Sequence, residues 1–180
     1  MPSVLVPLAA GAEELEAVTV VDLLRRAKFD VTLAGLEPGA VTCSRGTVIQ
    51  PDTTIDQVLE RSFDMIALPG GLPGANHLRD DTRLQLLLKE QAQRDGWLAA
   101  VCAGPKALAQ AGLLDGRTVT SFTGALDEAD VPSTGAPVEV DGRIITGRGP
   151  GAAMDFALTL IEQLAGREAR DAVEGPLLRP

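Results

Sequence analysis

A chain of 180 residues, 45% of them hydrophobic, can bury a full core and reads as one domain spanning 1–180. Sixteen basic against twenty-five acidic residues leave a net charge of −9, which repels polyanions and argues against nucleic acid or an anionic membrane as partner. Two separated cysteines, one histidine and no apolar run of membrane-spanning length argue against a disulfide framework, a zinc set and a transmembrane span. The start, Met1-Pro2-Ser3-Val4-Leu5-Val6, has no basic region or cleavage signature, and the expectation is a soluble protein of the reducing cytoplasm.

In chain order, Val4-Leu5-Val6 with Leu8 reads as a buried strand, followed by a helix over 13–28 with Leu15, Val18, Leu23 and Leu24 at helical spacing. A strand is expected over 29–36, then a hairpin over 41–49 turning at Arg45-Gly46. Thr54 caps a short helix ahead of a strand over 65–68, which ends at Pro69-Gly70-Gly71. A helix over 80–94 precedes the strand 97–101 and a helix over 106–114. Thr118-Val119-Thr120 reads as another strand. Val138 to Thr146 gives a hairpin signal, with Asp141-Gly142 between two β-branched runs. A last helix covers 152–164 and stops at Gly166. Strands alternating with helices imply an α/β domain, a mostly parallel sheet covered on both faces.

Cys102 falls where the strand 97–101 turns into a helix, an elbow at which unpaired backbone N–H groups and the helix dipole favour a thiolate. The expectation is a low-pKa nucleophile or redox sensor. Ligands of open α/β sheets bind beyond the carboxyl ends of the strands. Four segments lie there: Ala10 to Glu13, Pro69-Gly70-Gly71, Cys102-Ala103-Gly104, and Gly147 to Gly151, which includes Gly149 and Pro150. Gly71 and Ala103 are the expected backbone donors to an oxyanion. A free cysteine is more often a small buried hydrophobe, and glycines after strands are more often turns. It is their convergence on one sheet edge that points to a site.

Glu13 and Glu14 suit the helix start by charge alone. Glu16 shares a face with Val20 and Leu23-Leu24, so its carboxyl points inward, where it can stay protonated and donate to a thiolate or act as acid and base. His77 reads as a surface-loop residue. Gly147-x-Gly149-x-Gly151 fails the dinucleotide fingerprint by one position and lies too late in the chain.

Together these segments resemble the ThiJ/PfpI superfamily, in the subgroup of the Parkinsonism-associated deglycase and its bacterial YajL-type relatives. The resemblance runs nearly the whole length, through Gly11 to Glu16, Val21 to Arg26, Cys43-Ser44-Arg45, Leu68 to Gly71, Ala100 to Pro105 and Arg148 to Gly151. It implies a flavodoxin-like sandwich with a nucleophile elbow. It also implies a homodimer with Arg45 and Arg26 near the interface, and a Cys102 held by Glu16, Gly71 and Ala103. Ala103 follows Cys102 where peptidase-like members have histidine, and Phe122 stands where some deglycases carry a pocket histidine.

The implied function is a cofactor-independent glyoxalase or deglycase, with Cys102 attacking methylglyoxal, glyoxal or their early adducts on amines and thiols. One alternative is an oxidative-stress sensor or chaperone working through oxidation of Cys102. Another is a cysteine amidase or peptidase, for which His77 is the only base of its kind.

Overall fold

The computed structural model describes all residues from Met1 to Pro180. Strands β1 (Ser3–Leu8), β2 (Asp30–Gly35), β5 (Thr53–Thr54), β6 (Met65–Leu68), β7 (Trp97–Val101), β8 (Val138–Asp141) and β9 (Ile144–Gly147) form one sheet in the order β5-β2-β1-β6-β7-β9-β8. Every pairing in it is parallel except β8 with β9. β3 (Val41–Thr42) and β4 (Val48–Ile49) make a separate antiparallel hairpin.

The sheet residues alternate between two cores, as a period of two requires. Val4, Val6 and Leu8 of β1 face one core with Val20 and Leu24 of α1 (Glu14–Arg26) and Phe156 and Ile161 of α5 (Ala153–Ala165). Leu5, Ile66 and Leu98 face the other, with Leu78 of α2 (Gly74–Asp80), Leu84 and Leu88 of α3 (Thr82–Gln93) and Leu108 of α4 (Pro105–Gln110). This is the mostly parallel sheet covered on both faces that the alternating pattern predicts, and the flavodoxin-like sandwich that the resemblance implies.

Four readings are corrected. Thr118-Val119-Thr120 is no strand and contributes only an isolated parallel bridge from Val119 to Ser133. Its amides are taken by side chains instead: Thr118 N–H by Asp141 at 2.7 Å and Thr120 N–H by Thr146 Oγ1 at 2.9 Å. The segment after Gly71 is helix α2, so His77 sits on a helix; Ala75 and Leu78 anchor it by burial, although seven residues are too few for a periodic signal. The following helix starts at Thr82, because Asp81 caps it by accepting the Arg83 and Leu84 N–H groups, both at 3.0 Å. Beyond the predicted last helix lies α6 (Arg167–Glu174), entered through Gly166 at φ 85°.

Candidate active site

The parallel register brings the carboxyl ends of β1, β6, β7 and β9 to one edge, where backbone hydrogen bonds tie them together. Glu13 N–H donates to Gly70 O and Cys102 N–H to Gly147 O, each at 2.9 Å. Cys102 O accepts Phe122 N–H, also at 2.9 Å. Cys102 itself has φ 61°, a left-handed conformation unfavourable for a residue with a side chain. That strain turns the thiol out of the strand direction at the elbow, in front of Pro105 at the first position of α4.

Glu16, in the first turn of α1, is fully buried. Its Oε2 accepts the Gly70 N–H at 2.8 Å, and Oε1 is buried without a hydrogen-bond partner of ordinary geometry. Gly70 separates the two functional side chains. A Cβ there would lie 2.6 Å from Cys102 Cβ and 2.8 Å from Glu16 Oε2, so only glycine lets them approach. Gly71, at φ 86°, is equally confined, because a Cβ on it would lie 2.2 Å from Glu13 N.

Burial raises the Glu16 carboxyl to about 7, against the lowering influence of the Cys102 thiol and the Gly70 N–H. The Cys102 thiol is itself pushed up to about 12, by burial first and then by the charge and hydrogen bond of Glu16. The N–H groups of Gly71 and Ala103 act on the sulfur in the opposite direction. Two amides thus favour the thiolate expected at this elbow, while burial and the neighbouring carboxylate act against it. The pair accepts one negative charge near neutrality and resists a second.

The DJ-1/PfpI family pattern matches residues 2–163. The chain belongs to the DJ-1/PfpI family. It is 44% identical over 182 residues to the Parkinson disease protein 7 homolog of Danio rerio, covering 97% of this chain and 95% of that one. It is 34% identical over 168 residues to the glutathione-independent glyoxalase DJR-1.2 of Caenorhabditis elegans, covering 92% and 90%. The structure of oxidized Toxoplasma gondii DJ-1 superposes with a TM-score of 0.94 at 38% identity, over 99% of this chain and 98% of that one.

Other predicted residues of this DJ-1/PfpI chain lie at graded removes from the thiol. Phe122 is bonded to Cys102 through its backbone, and its half-exposed ring stands 3.5 Å from where a Cβ on Gly149 would be. Gly149 is buried, and Pro150 opens a short 3-10 turn after it. Arg45 is exposed on the β3–β4 turn, its Nε 4.0 Å from Glu13 Oε2. Arg26 ends α1, ten residues beyond Glu16 and so about 15 Å along the axis, and it pairs with Asp22 at 2.9 Å. Within one chain it is not part of the thiol pocket. His77 is exposed, has Nδ1 3.0 Å from Ala10 O, and is not among the groups acting on the thiol.

Glu14 has a role that charge alone did not reveal. Its carboxylate accepts the Arg45 N–H at 3.0 and 3.1 Å, the Thr47 N–H at 3.3 Å and the Ser44 hydroxyl at 3.2 Å. Desolvation raises it, yet the bonds from its own amide, Arg45 and Thr47 hold it at about 2. The start of α1 thus clamps the hairpin turn that carries Arg45. No sequence spacing announces a contact across more than thirty residues. No helix is long and apolar enough to cross a membrane.

Proposed function

We propose that this chain is a cofactor-independent glyoxalase and protein deglycase of the cytoplasm, acting through Cys102 from a single domain, 1–180, that pairs as a homodimer. The observation that carries this reading is the buried Glu16 carboxyl, raised to about 7 beside a buried thiol. A proton donor and acceptor poised at neutral pH is what aldehyde isomerisation needs. The 34% identity to a glutathione-independent glyoxalase adds to it.

The chemistry balances with the residues present. The thiol proton passes to Glu16, leaving a thiolate beside the Gly71 and Ala103 N–H groups. Sulfur bonds to the aldehyde carbon of methylglyoxal, and the oxygen that gains the carbonyl pair takes the Glu16 proton, giving a hemithioacetal. Ionised Glu16 then removes the hydrogen from that carbon as a proton and returns it to the neighbouring carbonyl carbon, while the hydroxyl hydrogen moves to the oxygen of that neighbouring carbon. The product is a thioester of lactate. Water breaks its C–S bond, freeing lactate and restoring the thiol. The sum is an internal isomerisation plus one water, with no net oxidant or reductant. Glyoxal gives glycolate by the same steps, and early adducts on amines or thiols enter as the released or bound aldehyde.

A second reading, a redox sensor or stress chaperone, rests on the same pocket: a Cys102 sulfinate would accept hydrogen bonds from protonated Glu16 and the two amides. The oxidized state of the Toxoplasma gondii relative favours keeping it. The amidase reading lacks an imidazole at the thiol, since His77, on α2, is hydrogen-bonded to Ala10 O in the turn after β1.

Methylglyoxal consumption with lactate detection tests the proposal. Wild-type protein is expected to form lactate and Cys102→Ser to form none. Equal, negligible rates in both would remove the enzyme reading and leave oxidation of Cys102 as the function.

A further inference from the structure

The carboxyl edge of the sheet holds a second concavity. A cleft of about 560 Å³ opens where the chain leaves β1 and β2, and none of the groups acting on Cys102 lines it. The volume falls within the roughly 300–1,000 Å³ of small-molecule sites. The place also fits, because open α/β sheets take ligands outside the carboxyl ends of their strands, and the ends of β1 and β2 form this cleft. Its apolar wall includes Leu8, Leu36 and Val41, each buried in the chain.

The charged part of the wall is all of one sign. Glu37, Asp80 and Asp81 line it, and no lysine or arginine does. The arginines paired with them are not part of the lining: Arg79 lies 2.7 Å from Asp80, and Arg83 lies 3.4 Å from Glu37 and 2.6 Å from Asp81. His77 adds an acceptor. Its Nδ1 is 3.0 Å from Ala10 O, a carbonyl oxygen that can only accept, so Nδ1 carries the hydrogen and Nε2 of the neutral ring offers a lone pair. An anionic ligand would meet like charge at this rim, and a neutral one would leave the acceptors to water. A net charge of −9 further raises the local concentration of cations.

We propose that this cleft is a second binding site, for a small molecule with an apolar body and a single protonated amine head. It goes beyond the thiol chemistry and does not depend on it. The one histidine of the chain gives one set of imidazole resonances, so binding is read directly at the site. With any affinity tag removed, the protein is titrated at fixed pH with n-hexylamine hydrochloride, n-hexanol and sodium hexanoate while the His77 ring is followed by NMR. Hexylamine is expected to shift the ring saturably, with hexanol and hexanoate clearly weaker. Glu37→Gln and Asp80→Asn are each expected to weaken hexylamine binding roughly three- to fivefold, the scale of one exposed ion pair. Cys102→Ser is expected to bind as wild type. A shift that never saturates, equal affinity for hexanol, or loss of binding in Cys102→Ser would each overturn the proposal.

Discussion

At the scale of single residues, Cys102 and Glu16 share one charge. Neither is reactive through a helix dipole alone; each is set by burial and by the other. The raised carboxyl has a consequence for stability with a definite sign. Below its ordinary 4.5, Glu16 is protonated in both folded and unfolded chains. Between 4.5 and about 7 the unfolded chain releases that proton while the fold retains it, so stability falls as pH rises through this window. The loss is on the order of 2–3 kcal/mol by pH 8. Glu16→Gln removes it. Urea denaturation at pH 5 and pH 8 is expected to show the variant gaining on wild type by about that amount at the higher pH. Wild-type and variant stabilities running parallel across the two would sink the assignment. In activity, the same variant is expected to lose roughly 10²–10⁴-fold in turnover.

At the scale of elements, the site is made by strand ends that approach too closely for side chains. The turn after β6 carries two glycines, Gly70 between the thiol and the carboxyl and Gly71 against the start of α1. Gly70→Ala places a methyl group where Cys102 Cβ and Glu16 Oε2 already stand, and overpacking of this kind costs about 1–3 kcal/mol. Its effect on lactate formation is expected to be near-complete loss in a protein that still melts cooperatively. Retained turnover would show that the thiol and carboxyl need not touch. The β3–β4 hairpin belongs to the same scale. It is outside the main sheet, and the Glu14 carboxylate fastens its turn to α1. Arg45 is thereby presented outward from a fixed turn.

At the scale of the whole molecule, α1 and the hairpin leave an apolar face uncovered. Leu15 and Val18 share one side of α1 by their spacing and are each about half exposed, and Val48 of β4 is more exposed still. The proposed homodimer is expected to bury this face. Sedimentation is expected to give wild type twice the chain mass of 18.8 kDa, and Val18→Asp the mass of a single chain. A wild-type monomer at working concentration would end that part of the proposal and with it any role for Arg26 and Arg45 in a partner's pocket.

The alternation of apolar runs with amphipathic stretches determined the layered α/β architecture, because strand and helix periods are local properties of the chain. The elbow at Cys102 and the inward face carrying Glu16 were legible for the same reason, as was the Asp141-Gly142 hairpin. What tertiary structure alone decided is whatever depends on partners distant in sequence. Thr118 to Thr120 lost its strand to the side chains of Asp141 and Thr146, and the segment of His77 became a helix through the burial of Ala75 and Leu78. Glu14 found its donors in a turn some thirty residues on. The burial and the facing carboxylate that act on the thiol were not legible either, because they are three-dimensional quantities that no local pattern encodes.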